Sequence, residues 1–324
     1  MMHQQAPYSG SLLDELCARS LTQATASAAG RSPKKLALVV EGGAMRGIIS
    51  MAFLTALHKH NMHRAFDRVF AASAGAINAA YFLAGQAETG LSFYLEAAKS
   101  THLFRKWPPW SMLNLDALFE GVREGQYALQ CDSLRASSTR MDVFLTKPTD
   151  GSSVSVPLEG TDDRILNILK ATSAIIPYYN KLVEVDGKPF LDGGISEPIP
   201  IRSAIDEGCT HLLVLLTRPA SHCPRKLTVA ENAFLRLSVL PRTAEFRRMF
   251  LHRRRAHYEH SRAAALGASK ANYPVDIFTI TPPEGLRKVH RFANRVEDLE
   301  EITQECIKYL SDLIDKRASR SQPA

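Results

Sequence analysis

The sequence predicts an α/β protein in which a mainly parallel central sheet is flanked by helices, with further helices at the C-terminus. Continuous apolar runs such as Leu36–Val40 and His211–Leu216 are typical of strands buried on both faces of a parallel sheet. Segments of strand and helix character also alternate from residue 36 to residue 216, as they do in parallel α/β folds. No internal repeat and no Pro/Gly/Ser-rich linker divides the 324 residues, which favours one domain.

Composition divides the chain into four segments. Residues 1–32 are rich in Ser, Ala and Gln, and we expect a mobile tail with one short helix carrying Leu12, Leu13, Leu16 and Leu21. Residues 33–218 form the α/β core. Residues 219–316 form a helical elaboration of the same domain with one further strand at Val275–Ile280, and residues 317–324 form a second tail.

The net charge of +7 favours anionic partners such as phospholipid head groups or nucleic acid. The five cysteines are scattered and include no C-x-x-C pair, so we expect a reducing compartment and neither a disulfide framework nor a metal site. The first thirty residues lack a signal-peptide pattern, and the longest apolar run, at about 69–85, is interrupted by polar residues. These features predict a cytoplasmic protein that can also dock on a membrane surface.

The first predicted strand ends in the glycine-rich stretch Glu41–Gly47, which is followed by a predicted helix at Ile48–His58. Free amides in such a loop bind either a nucleotide phosphate or the oxyanion of an acyl-transfer intermediate. The loop lacks the Lys-Ser/Thr ending of a phosphate-binding loop. Asp67 precedes the second strand, and Ala72-Ser73 occupies its end, where a dinucleotide-binding protein would have an acid. The sequence therefore favours the oxyanion function.

Ser73 lies between the apolar pair Val69-Phe70 and a run of small residues, Ala74–Ala80. This pattern predicts a strand that turns sharply into a helix. A serine at such a turn can be a nucleophile, or it can simply cap the helix. The stretch alone leaves both interpretations open.

Taken together, these motifs resemble those of the patatin-like phospholipases. That family combines an oxyanion loop of the type D/E-G-G-G-x-R/K-G, a G-x-S-x-G turn and a later Asp-Gly-Gly or Asp-Gly-Ala. The chain has Glu41–Gly47, Ala71–Gly75 and Asp192-Gly193-Gly194 in that order, and Ala171–Pro177 resembles the family's Ala-Ser-x-x-x-Pro segment. The resemblance extends from about residue 36 to about residue 200.

The resemblance implies a three-layer patatin-like fold with residues 33–218 as the catalytic core. It also implies a lipid acyl hydrolase of the phospholipase A, lysophospholipase or esterase type that forms an acyl-enzyme and needs no metal or cofactor. Ser73 would be the nucleophile and Asp192 its base, a role for which none of the eleven histidines is a clear candidate. The oxyanion hole would be Gly42, Gly43 and Ala44. The supporting residues would be Arg46, Gly47, Gly75, Gly193 and Gly194.

Two positions depart from the family pattern. Ala44 replaces the third loop glycine, and its amide can still donate to an oxyanion if its φ stays negative. Ala71 replaces the first glycine of the serine turn, where a small residue is required. Both changes keep an alternative open, a weak or silent patatin-fold protein that regulates by binding lipid or protein.

An aromatic and apolar patch with a double proline follows the serine turn. It comprises Phe104, Trp107, Pro108, Pro109, Trp110, Met112, Leu113 and Leu115. Because a double proline prevents a regular helix, we favour a loop that is anchored to the core. The alternatives are a cover over the active site and a contact surface for an acyl chain.

The segment from Arg236 to Arg262 is strongly basic, with Phe246, Met249 and Phe250 at helical spacing. We favour an ordinary surface helix with a core-facing stripe. The alternative is peripheral contact with an anionic membrane through Arg247, Arg248, Arg253, Arg254 and Arg255. We expect no nucleic-acid binding, because no nucleic-acid-binding motif accompanies the charge.

Overall fold

An eight-stranded sheet forms the centre of the computed structural model, which describes residues 10–22, 34–100, 102–103, 112–179, 181–222, 228–238, 243–267 and 275–319. The strands are β1 (Leu36–Val40), β2 (Arg68–Ala71), β3 (Arg140–Thr146), β4 (Ser153–Pro157), β5 (Val183–Val185), β6 (Lys188–Asp192), β7 (His211–Leu215) and β8 (Asp276–Ile280). The sheet order is β5-β6-β3-β2-β1-β7-β8, and β4 also pairs with β3.

The five neighbouring strands β3, β2, β1, β7 and β8 are parallel to one another. The pairs β3–β4, β3–β6 and β5–β6 are antiparallel. The prediction of a mainly parallel α/β sheet is therefore confirmed. β1 is fully buried, as expected for a continuous apolar run in the middle of a covered sheet.

Helices cover both faces of the sheet. The helices are α1 (Gly10–Thr22), α2 (Ile48–Lys59), α3 (Ala74–Leu83), α4 (Ala87–Lys99), α5 (Leu115–Arg123), α6 (Cys131–Arg135), α7 (Asp162–Thr172), α8 (Ile201–Asp206), α9 (Val229–Ser238), α10 (Ala244–Arg248), α11 (Arg254–Ala265) and α12 (Val296–Ala318). On one face, Leu36, Leu38 and Val40 of β1 pack with α2, α3 and α12; on the other, Ala37 and Val39 pack with α8 and α11.

Helix α1 corrects the expectation of a mobile N-terminal tail over residues 10–22. The predicted short helix is present, and its Leu12, Leu13 and Leu16 side chains are fully buried against the core. Arg19 fixes the end of the helix, because its guanidinium donates to Asp67 Oδ2 at 2.8 Å and to the Lys34 carbonyl at 2.6 Å. The leucines form an apolar face that must be buried, and α1 packs against α12 and β7.

The basic segment is helical, with a π-helical turn at Met249–Arg253 between α10 and α11. Phe246, Met249 and Phe250 are buried, so the apolar stripe faces the core as expected. At the C-terminus, α12 extends to Ala318, two residues into the expected tail. The patch residues Phe104, Trp107, Pro108, Pro109 and Trp110 lie outside the described residues, as does Arg242 of the basic segment.

Strand register places three predicted motifs at one edge of the sheet. Val40 of β1 pairs with Ala71 of β2, so the loop after β1 and the turn after β2 leave the sheet side by side. Leu145 of β3 pairs with Asp192, the last residue of β6. In the ranges given above, no helix is long and apolar enough to span a bilayer.

Candidate active site

Ser73 occupies the sharp turn between β2 and α3, with φ 56° and ψ −143°. This backbone conformation is unfavourable for any residue except glycine, and such strain is typical of nucleophile turns. The Ser73 N–H donates to Thr172 Oγ1 at 2.8 Å, and that hydroxyl donates to the Phe144 carbonyl at 2.7 Å. The Ser73 side chain makes no helix-capping hydrogen bond, so the turn holds it free for another partner.

Close backbone packing explains the glycines around this turn. A Cβ atom added to Gly75 would lie 2.5 Å from the carbonyl oxygen of Val40, and one added to Gly42 would lie 2.8 Å from that of Ala72. Any side chain at either position would therefore push the oxyanion loop away from the serine turn. Ala71, by contrast, is part of β2 and buries its methyl group completely in the core. The alanine at this position is thus a buried strand residue that precedes the turn.

Asp192 lies at the end of β6, and its Oδ2 accepts a hydrogen bond from Ser73 Oγ at 2.8 Å. Its Oδ1 accepts the Gly194 N–H at 2.6 Å, and its carbonyl accepts the Thr146 hydroxyl at 2.7 Å. The residue is only 2% exposed. Burial raises the pKa of Asp192 to about 6, although the hydrogen bond from Ser73 opposes the shift. The carboxyl is thus a stronger base than an exposed aspartate.

Gly193 allows the chain to turn directly beneath β3. A Cβ atom at this position would overlap the carbonyl oxygen of Phe144, the oxygen that also accepts the Thr172 hydroxyl. The carbonyl of Gly193 accepts the amides of Ser196 and Glu197. The Asp192-Gly193-Gly194 turn is therefore fixed to the same backbone atom that fixes the serine turn.

The residues of the predicted oxyanion hole, Gly42, Gly43 and Ala44, line one cavity together with Ser73 and Asp192. Within the described ranges, their amides donate to no other group. The amide of Ala74 also donates to no group among the described residues. It belongs to the residue after the serine, which is a usual oxyanion donor in such turns, and the sequence analysis missed it. The Met45 amide is not free, because it donates to the Arg291 carbonyl at 3.2 Å.

Ala44 does not have the negative φ that the sequence analysis required of it. Its φ is +53°, so it lies in the left-handed region that the usual glycine would occupy without strain. Its amide is nevertheless unpaired in the described part of the chain, and the residue lines the cavity. The departure from glycine therefore adds backbone strain without closing the site.

Arg46 is tied to the predicted oxyanion loop through the Thr217 hydroxyl. It is 9% exposed, its Nε donates to Thr217 Oγ1 at 3.2 Å, and that hydroxyl donates to the Gly42 carbonyl at 3.2 Å. Burial, helped by the nearby Arg218, lowers the pKa of Arg46 to about 9. Gly47 ends the loop, and its carbonyl accepts Asn78 Nδ2 at 2.8 Å.

Two cavities meet at Ser73. The first, about 210 Å³, contains the candidate dyad and the oxyanion loop and has an arginine-rich wall: Arg46, Arg218, Arg254, Arg255 and Arg291. The second, about 70 Å³, is almost wholly apolar and includes Ile77, Phe93, Leu113, Leu115 and Leu118 in its lining. Leu113 and Leu115 belong to the predicted apolar patch, so part of that patch does reach the site. No histidine is among the described residues that line either cavity.

The arginines named for the alternative of membrane contact are only partly exposed. Arg248 and Arg253 are exposed, but Arg254 is half-buried and lines the first cavity, where its guanidinium lies 4.5 Å above the Phe250 ring. Arg255 also borders the cavity and is paired with Glu259 at 2.6 Å. Membrane contact through these arginines stays a prediction, and Arg254 in addition borders the cavity that contains Ser73.

Comparison with known proteins places these features in context. A family model described as patatin-like phospholipase matches residues 38–205, which include the oxyanion loop, Ser73 and Asp192. The "Uncharacterized protein YjjU" of Escherichia coli K12 is 28% identical over 192 residues, covering 58% of this chain and 53% of that protein. The chain thus spans about half the length of this curated relative. VipD from Legionella pneumophila, a solved structure, aligns with 85% of this chain and 67% of its own at 12% identity and a TM-score of 0.36.

We predict that Ala44→Gly stabilises the protein by about 1 kcal/mol, because glycine removes the cost of a left-handed φ. Urea unfolding of wild type and variant measures this difference. The matched control is Ala117→Gly in the right-handed helix α5, where the same substitution should destabilise by about 1 kcal/mol. Destabilisation by both substitutions would contradict the strain assigned to Ala44.

Proposed function

The chain belongs to the patatin-like phospholipase family, and on this premise we propose that it is a serine lipid acyl hydrolase with Ser73 as nucleophile and Asp192 as base. Family membership supports lipid acyl hydrolysis at the level of the family. The observation that carries the proposal for this chain is the 2.8 Å hydrogen bond from Ser73 Oγ to Asp192 Oδ2, made in a cavity lined by residues whose backbone amides have no partner among the described residues.

The proton transfer follows from the environment of Asp192. With a pKa of about 6, its carboxyl is ionised at neutral pH and still basic enough to accept the serine proton as attack begins. The Gly194 N–H bonded to Oδ1 leaves Oδ2 directed at Ser73. One carboxylate therefore orients the hydroxyl and receives its proton without a histidine between them.

Acyl transfer then proceeds in two balanced steps. Ser73 Oγ bonds to the ester carbonyl carbon, the proton passes to Asp192, and the carbonyl oxygen becomes an oxyanion. When the intermediate collapses, the leaving alcohol takes that proton and the acyl group stays on Ser73. Water repeats the sequence with Asp192 as base, which releases the fatty acid and restores the serine.

The oxyanion faces the loop at the end of β1. The amides of Gly43 and Ala44, together with Gly42, are the donors we assign to it, and the Ala74 amide adds a donor from the serine turn. One donor of this kind is typically worth about 3 kcal/mol of the barrier. Arg46 supports the hole by holding the carbonyl of Gly42 through Thr217.

The apolar cavity gives the acyl chain a place to bind. It begins at Ser73 and Ala44 and continues between Ile77, Phe93 and Leu118. A chain lying there would put its ester carbonyl at the junction of the two cavities, within reach of both the serine and the oxyanion loop. The head group would then lie in the larger, arginine-rich cavity.

The strain at Ala44 is the observation that favours a weak or silent lipid-binding regulator instead. Against it stand the intact Ser73–Asp192 hydrogen bond and the backbone ties that hold it. A protein that only binds lipid gains nothing from a strained serine turn.

Hydrolysis of short-chain acyl esters tests the proposal. The folded wild type should hydrolyse them, Ser73→Ala should lose about a thousandfold or more, and Asp192→Asn should lose roughly a hundredfold to ten-thousandfold. Asp206→Asn is the matched control, because Asp206 is exposed and pairs with Arg202 on α8. No turnover by the folded wild type, or full turnover by Ser73→Ala, would refute the hydrolase function.

The pH dependence of kcat/KM should report the buried base. We predict that kcat/KM for a neutral ester rises with pH through about 6 and then levels off, because only ionised Asp192 accepts the serine proton. The groups that face this carboxyl are Ser73, the Gly194 amide, Arg254 and Arg291, and each of them lowers its pKa against the effect of burial. A midpoint near 4, the value of an exposed aspartate, would contradict the buried base.

A further inference from the structure

An excess of positive charge lines the larger cavity. Arg46, Arg218, Arg254 and Arg291 all border it, whereas its carboxylates among the described lining residues are Glu41 and Asp192. Burial, together with the neighbouring Arg291, lowers the pKa of Arg254 to about 10. These guanidinium groups therefore destabilise one another when the cavity holds only solvent.

The two carboxylates accept hydrogen bonds from groups other than these arginines. Glu41 accepts the Thr217 amide at 2.6 Å and the Tyr258 hydroxyl at 3.0 Å, and Asp192 accepts Ser73 and Gly194. In the part of the chain that the structure describes, no carboxylate forms an ion pair with Arg218, Arg254 or Arg291. Arg68, by contrast, pairs with Asp142 at 2.5 Å.

The guanidinium groups of Arg218 and Arg254 are held by contacts that leave N–H groups available. Arg254 lies over the Phe250 ring. Arg218 lies 5.2 Å from the Tyr258 ring centre and donates to His222 Nε2 at 2.6 Å. The Arg291 backbone is tied to the oxyanion loop through the Met45 amide. Planar donors fixed in this way match the oxygens of a phosphate group, which guanidinium binds in a bidentate manner.

We propose that Arg218, Arg254 and Arg291 form a subsite for the phosphate monoester of an acyl glycerol phosphate. The inference rests on the proposed function, since it places the scissile ester at Ser73 with its acyl chain in the apolar cavity. Arg254 and Arg291 act electrostatically on Asp192, so an anion bound between them lies next to the reacting ester. All three arginines follow residue 205, beyond the segment that matches the family model: Arg218 ends the core, and Arg254 and Arg291 belong to the C-terminal elaboration.

The charge balance also predicts which head groups are disfavoured. A choline head group carries a cation that the arginines repel, and the Tyr258 ring that could bind it is already covered by Arg218. A neutral glyceride offers no charge to the cavity. A phosphate monoester, close to a dianion at mildly alkaline pH, gains most from three guanidinium groups.

Binding to the Ser73→Ala protein tests the subsite independently of turnover. Isothermal titration at mildly alkaline pH compares octanoyl glycerol phosphate, octanoyl glycerophosphocholine and octanoyl glycerol, which share one acyl chain and are used as monomers. The phosphate monoester should bind about tenfold or more tightly than either of the others. Arg254→Gln and Arg291→Gln should each remove most of this preference, whereas Arg248→Gln, at an exposed arginine, should retain it.

Further arms separate the alternatives. Equal affinity for the three esters, or a preference that survives both Arg254→Gln and Arg291→Gln in folded protein, would overturn the subsite. Inorganic phosphate that binds as tightly as the phosphate ester would overturn its assignment to a lipid head group and indicate a free-anion site. Arg254→Lys checks that charge, and not folding, is responsible, since it should retain part of the preference. Selective binding without hydrolysis by the wild type would refute the proposed function and leave the subsite intact.

Discussion

The hydrogen bond between Ser73 Oγ and Asp192 Oδ2 joins two strand ends that are 119 residues apart in sequence, and the surrounding structure is arranged to hold it. The Phe144 carbonyl is the shared anchor: it accepts the Thr172 hydroxyl that fixes the serine turn, and it packs against Gly193 of the aspartate turn. Parallel pairing of β1 with β2 then brings the oxyanion loop alongside. Tight backbone packing, more than any single side chain, therefore sets the geometry of the candidate site.

Strain and burial are concentrated where the proposed chemistry needs them. Ser73 and Ala44 both have positive φ, which strains their backbone. Asp192 is buried, which destabilises its ionised form and raises its pKa. The apolar clusters on both sides of the sheet offset these costs. Proteins that place strained and desolvated groups together usually do so at a functional site.

The local patterns of the sequence predicted the parts of the fold that depend on local chemistry. Continuous apolar runs predicted the buried strands. Small and glycine-rich motifs predicted the turns at strand ends, at Glu41–Gly47, Ser73 and Asp192-Gly193-Gly194. Long-range packing could not be predicted in this way. Nothing near Leu12 and Leu16 indicates which surface they bury, and nothing near Arg254 indicates that it lines the same cavity as Asp192. The positive φ of Ala44 could not be predicted either, because alanine is ordinarily found at negative φ.

The central claim is that Ser73 is the nucleophile of an acyl transfer, and covalent trapping tests it most directly. A fluorophosphonate reacts with an activated serine, and peptide mass spectrometry of the labelled protein locates the adduct. The account predicts one adduct, on Ser73, that forms in the wild type and is absent from Ser73→Ala. A folded wild type that remains unlabelled, or an adduct that persists in Ser73→Ala, would contradict it.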